Sequence, residues 1–307
     1  PLRAEMAGEN GRPTMPASRP NGRLTPRPAR SKVSLPPAVA LQYLLPKQAL
    51  TSLAGWGASA RGGVLTTAFI RWFIGKYQVN MAEAANPDPA VYPTFNEFFT
   101  RPLKAGARPL SDADWVCPVD GAVSACGPIQ KDQIFQAKGH HYSTTALVGG
   151  DAALARQFEG GHFATIYLSP KDYHRIHMPC AGRLRRMVHV PGSLYSVNPA
   201  TVAGVPGLFA RNERVVCLFD SDFGPFVLTL VGAMVVGSMQ TVWHGLINPP
   251  RSGTLREWRY DDASPIGCRQ GTIGIKTDIQ ALSGDAVFLG TLHKAGHANE
   301  LTANETA

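Results

Sequence analysis

Long apolar runs are missing from this 307-residue chain. The longest candidate, residues 226–239, is interrupted by Thr229, Gly232, Gly237 and Ser238. A bilayer-spanning helix needs about 20 apolar residues, so any membrane contact is expected to be peripheral. Cysteine is scarce as well. Cys117, Cys126, Cys180, Cys217 and Cys268 are odd in number, scattered and never spaced as CxxC. That spacing argues against a disulfide framework or a zinc site and fits reduced thiols in a cytosolic setting. The first 35 residues contain no apolar stretch of the kind a secretory signal carries. Acidic residues are the minority charge: 22 Asp and Glu face 30 Lys and Arg, for a formal net charge of +8. Such a balance suits an anionic partner, whether nucleic acid, a membrane surface or an acidic substrate. Nucleic acid fits least, because the basic residues concentrate in the N-terminal tail and no helix-turn-helix, RNP or zinc-finger pattern is present.

What is abundant is punctuation. With 31 glycines and 25 prolines, the chain is suited to many turns and short strands. Three regions are expected. Residues 1–35 carry six arginines and one lysine against two glutamates, lack apolar periodicity and read as a disordered basic tail. Residues 36–80 read as helical, over 38–45 and 64–77. In the second stretch Leu65, Phe69, Trp72, Phe73 and Tyr77 share one broad arc, with Arg61, Arg71 and Lys76 in or beside it. Such a helix either lies in a bilayer interface or packs on the main domain. Residues 81–307 read as a β-rich domain. Strands are expected over 163–168, 184–190, 214–219 and 226–231, with short helices capped by Thr94 and Asp151. The fold class that follows is α+β, a predominantly antiparallel β core with N-terminal helices.

The densest chemistry lies in residues 167–180, YLSPKDYHRIHMPC. His174 and His177 stand three apart in a turn-forming stretch, where functional groups are often displayed. They could act as acid and base, ligate a metal with further ligands, or hydrogen-bond a loop. Asp120 precedes Gly121 in PVDGAV. It could orient a histidine or cap its own turn. Arg211 and Arg214 could hold a phosphate or pair with Glu213.

Taken together these strings resemble the bacterial phosphatidylserine decarboxylase proenzymes. LQYLLPK (41–47), LAGWGAS (53–59), TFNEFFTRPL (94–103), PVDGAV (118–123), residues 167–180 and 208–219, and VGAMVVGS (231–238) occur in the family's order. The resemblance covers about residues 40–260. It implies a chain that cuts itself near its C-terminus and turns the newly exposed serine into a pyruvoyl group, the electron sink for converting phosphatidylserine to phosphatidylethanolamine and carbon dioxide. It implies that Asp120 and His177 form the relay for self-cleavage and that His174 assists decarboxylation. It also implies a β/α heterodimer after the cut, no metal, and peripheral attachment to an anionic membrane surface on the cytoplasmic side of the cell membrane.

The family's Leu-Gly-Ser-Thr cleavage motif is absent after Trp258. Leu282-Ser283-Gly284 lies close to the expected distance, and Phe288-Leu289-Gly290-Thr291 keeps Leu-Gly without a serine. Ser283 is therefore the candidate pyruvoyl precursor. A changed reading frame near residue 263 and an uncleaved, inactive lipid-binding relative are the alternatives.

Overall fold

Proline and apolar spacing set the first helices. The computed structural model describes residues 36–260 and 285–290; the expected basic tail and Ser283 lie outside them. Helix α1 (Pro37–Leu44) has proline in its first turn, where the missing N–H had no helical partner to lose. Helix α2 (Lys47–Ala58) follows Pro46, and α3 (Val64–Tyr77) has the bounds its periodicity predicts. Short 3₁₀ turns at Met81–Glu83 and Pro89–Val91 lead to α4 (Phe95–Phe99). There the Thr94 hydroxyl accepts the Glu97 N–H at 3.1 Å, the cap that the sequence announces.

Helix α3 packs on the main domain along one side and leaves the adjoining part of its arc exposed. Ile70 and Phe73 are buried with Val79, Tyr92, Phe98 and Phe99. Leu65, Phe69 and Trp72 remain exposed, at 79%, 47% and 56%. The earlier helices add Leu44, Leu53 and Trp56 to the exposed apolar residues. Both are also tied to the β-rich part. Gln42 donates to the Thr201 hydroxyl and accepts the Ser196 N–H, and Thr51 accepts the Val235 N–H. Helices and sheet belong to one compact unit. Among the described residues no helix is long and apolar enough to cross a membrane.

The β-rich part begins with β1 (Ala122–Pro128), β2 (Gln133–Ala137) and β3 (His140–Ser143). Helices α5 (Thr144–Leu147) and α6 (Ala152–Arg156) follow, the latter capped by Asp151 as expected. Next come β4 (His162–Tyr167), β5 (Arg183–Val190), α7 (Pro199–Gly204), α8 (Leu208–Arg211), β6 (Arg214–Ser221) and β7 (Gly224–Val231). The last strands are β8 (Met239–Thr241), β9 (Gly245–Asn248), β10 (Arg256–Arg259) and β11 (Asp285–Gly290). Seven strands form one sheet in the order β1-β4-β11-β7-β6-β5-β10. Every neighbouring pair in it is antiparallel, as the expected α+β class requires.

The sheet is covered on both sides. Along β7, Val227 and Val231 join one core cluster while Leu228 and Leu230 join another. That is why residues 226–231 read as an almost unbroken apolar run: both pleat faces are buried. Strand β11 occupies the slot between β4 and β7, with Asp285 opposite both Tyr167 and Val231.

Candidate active site

Three of the quoted motifs converge at the end of β4. The His177 N–H donates to the Pro118 carbonyl at 2.7 Å, and the Val116 N–H to the Pro179 carbonyl at 2.9 Å. The Arg175 guanidinium donates to the Thr100 carbonyl at 2.8 Å. Gly121 sits so close to the chain that a Cβ there would lie 2.4 Å from the Tyr167 carbonyl oxygen. Residues 94–103, 118–121 and 167–180 are thereby locked together.

His174 is placed by a short closed turn. The Asp172 carboxylate accepts both the Ser169 N–H (2.7 Å) and its hydroxyl (2.8 Å). The turn leaves the Asp172 carbonyl 2.8 Å from His174 Nδ1. A carbonyl can only accept, so Nδ1 carries the proton and Nε2 keeps its lone pair. The ring is buried and lies against Phe99, with centroids 3.9 Å apart. Burial lowers its pKa to about 4; the Asp172 carbonyl opposes the shift and the Arg101 charge adds to it. His174 is therefore a neutral imidazole at neutral pH.

His177 has different company. Its Nε2 meets the Tyr173 hydroxyl at 3.2 Å, and the two rings are stacked. Asp120 is brought into the same neighbourhood by the Pro118–His177 backbone bond, but its carboxylate is held by Arg108. The Arg108 Nε donates to both Asp120 oxygens at 3.0 Å, and Nη2 bonds Oδ2 as well. The same Nη2 reaches Glu83 Oε2 at 2.6 Å. These two carboxylates raise the pKa of Arg108, and they fix where the Asp120 charge points.

A second arginine is stranger. Arg101 is 3% exposed, and its Nε has no hydrogen-bond partner among the described residues. It lies over the Phe98 ring and makes one long bond, 3.4 Å, to the Lys171 carbonyl. Burial lowers its pKa, while the charges of Tyr92, Glu83, Tyr173 and Asp120 work against that. Sequence reading passed over both arginines. Arg101 had one available signal, a lone charge inside the aromatic string FFTRPL; Arg108 had none. Arg214, a candidate phosphate ligand, is corrected by its surroundings. It is buried and donates to the carbonyls of Ala146, Leu147 and Asn212, which makes it a brace for the fold. Among the described residues no group of three or more His, Cys, Asp or Glu side chains could hold a metal ion.

The register of β11 bears on the candidate serine. Asp285, two positions after Ser283 in sequence, is paired with Tyr167, the residue from which the His174 loop departs. The strand then runs between β4 and β7, hydrogen-bonded on both sides.

Comparison with known proteins agrees with these strings. The model of the family described as Phosphatidylserine decarboxylase matches residues 95–283, ending on Ser283. A second model, described as PSD, matches residues 37–78. The chain is 72% identical over 229 residues to a phosphatidylserine decarboxylase proenzyme of Delftia acidovorans, covering 75% of this chain and 81% of the relative. Proteins of the same name in Dechloromonas aromatica and an Azoarcus species are 72% and 69% identical, covering 73% and 75% of this chain and 80% of each relative.

Proposed function

The chain belongs to the phosphatidylserine decarboxylase family, and from that premise we propose that it converts phosphatidylserine to phosphatidylethanolamine and carbon dioxide by means of a pyruvoyl group made from its own Ser283. The observation that carries this reading is the neutral, buried His174. Its Nε2, which keeps a lone pair while Nδ1 is bonded to the Asp172 carbonyl, belongs to the loop leaving Tyr167, where β11 begins, two residues after Ser283.

His177 takes the proton of the Ser283 hydroxyl, whose oxygen attacks the Leu282 carbonyl carbon and displaces the amide nitrogen to give an ester. Elimination across the serine Cα–Cβ bond releases the Leu282 carboxylate, and one water then replaces the nitrogen, which leaves as ammonia. Asp120 holds the negative charge that favours a protonated His177 during the first step. Arg108 and Glu83 keep that carboxylate in place. The new ketone, once formed, is the electron sink for the bond to carbon dioxide. His174 handles the proton at the substrate carbon. With a pKa of about 4, a proton taken up on Nε2 is given back readily. The piece after the cut stays attached, because β11 is bonded to a strand on each side. This retention gives the β/α pair. The exposed apolar residues of α1, α2 and α3 rest on an anionic membrane surface at the cytoplasmic side of the cell membrane.

The test is the intact mass under denaturing conditions. The expected outcome is two pieces, the smaller covering residues 283–307 and starting in a ketone that reacts with hydroxylamine. Ser283→Ala and His177→Ala are expected to remain whole. A single wild-type mass of 32.9 kDa would overturn the pyruvoyl step for this chain.

A further inference from the structure

Away from the histidines, two cations share one aromatic ring. Lys47 Nζ stands 4.4 Å from the centroid of Tyr195, and the Arg211 guanidinium carbon stands 5.0 Å from the same centroid. Arg211 also donates to the Tyr195 hydroxyl at 3.0 Å and lies 5.8 Å from the Tyr43 ring. Tyr43 packs edge-on against Tyr195. The ammonium donates to the Gln42 carbonyl at 2.6 Å and reaches the Leu45 carbonyl at 3.5 Å. Beside it opens a cleft of about 400 Å³ lined by Pro46, Lys47, Gln48, Ala49, Ser193 and Leu194.

Among the described residues no carboxylate neutralises this pair. Among the described residues neither cation is in a salt bridge, and the sequence has no Asp or Glu from residue 36 to 82. Burial and then the Arg211 charge lower the pKa of Lys47. Tying the α1–α2 corner requires a donor, which Lys47 supplies, but it does not require a second cation facing it. The cleft also has the right neighbours for a lipid. Leu44, Leu50 and Leu53 on the flanking helices are exposed. On the other side, Leu194 abuts Gly232 and Gly237, and Gly232 follows Val231, the partner of Asp285.

We propose that Lys47 and Arg211, set around the Tyr195 ring, bind the phosphodiester of an anionic phospholipid in the membrane on which α1, α2 and α3 rest. The proposal deepens the membrane reading above and rests on it for the source of the ligand. The cations supply charge-assisted hydrogen bonds, and the exposed leucines take the start of the acyl chains.

The experiment is calorimetric titration of the full chain with dihexanoylphosphatidylglycerol below its micelle concentration. One site per chain is expected. Lys47→Gln and Arg211→Gln should each weaken binding by about tenfold, the loss of one charge-assisted contact. Lys47→Arg should restore most of it, and Arg156→Gln, which removes an exposed charge elsewhere, should leave it within about twofold. Thermal unfolding confirms that each variant is folded. Absence of saturable binding, or an equal loss in Arg156→Gln, overturns the site. Inorganic phosphate competing as well as the lipid would also overturn it, by showing a free-phosphate site instead. Vesicle flotation separates the two readings. If wild type ignores phosphatidylglycerol vesicles yet binds the short-chain lipid, membrane docking fails and the headgroup site stands.

Discussion

His174 and His177 are three residues apart and differ in their surroundings: His174 is buried against Phe99, while His177 meets the Tyr173 hydroxyl. His174 has lost its water and faces a cation, so its charged form is disfavoured in the folded chain. Its folded pKa of about 4 lies below the ordinary 6.5, so the unfolded chain binds more protons between those values. Stability from this group is therefore fully present above pH 6.5 and declines as pH falls toward 4. The difference amounts to about 3 kcal/mol at most. Urea unfolding at pH 7 and pH 4.5 is expected to show that acid loss in wild type and a much smaller one in His174→Phe. Both histidines stood out in the sequence as a pair of titratable groups in a turn. The neutral state of His174 did not, because Phe99 and Arg101 come from a segment about 75 residues earlier. Asp120 was equally visible. Its clamp was not, since Glu83 and Arg108 meet only across the fold.

At the scale of elements, caps and periodicities read well, while close approaches did not. Helix α3 and the Thr94 cap have the predicted positions because both are local. Helix α2 was not anticipated: Gly55 and Gly57 each cost helix stability of about 1 kcal/mol. Contacts such as Thr51 to Val235, 184 residues away, support it. Gly121 looked like a turn residue, yet its lack of a side chain serves the approach to the Tyr167 carbonyl. Gly121→Ala must push β1 away from the His174 loop. A loss of about 2 kcal/mol or more is expected in urea unfolding. The exposed face of α3 makes a second prediction. Trp72 is 56% exposed and stacked on Phe69. Trp72→Ser is expected to reduce flotation with phosphatidylglycerol vesicles by about tenfold or more while leaving thermal unfolding within a few degrees of wild type. Unchanged flotation would place the membrane contact elsewhere.

Across the whole molecule the sheet is pinned by one buried polar network. Glu213 is 2% exposed. It bonds His189 at 2.9 Å and Arg251 at 2.7 Å, which links β5, the residue that enters β6 and the segment after β9. Burial works to raise the Glu213 pKa, but hydrogen bonds from His189, Arg251 and Asn248 together hold it below the usual carboxylate range. Removing one member of such a group leaves the others buried and unpaired. Glu213→Ala is expected to lose about 3–5 kcal/mol, measured as a lower urea midpoint with unchanged slope. The sequence offered Glu213 only as a neighbour for Arg211 or Arg214. The structure gives those three residues separate tasks: Glu213 anchors the network, Arg214 braces backbone carbonyls, and Arg211 faces Lys47.

Local order was thus determined by the sequence itself. Apolar spacing set the helices and the doubly buried strand, oxygen-bearing caps set helix starts, and the ordered motifs carried the family. Tertiary structure alone decided that His174 is buried and neutral, which arginine claims Asp120, and that Lys47 stands beside Arg211. The reason is physical: burial and Coulomb interactions depend on distances between atoms remote in the chain, and residue order does not state those distances.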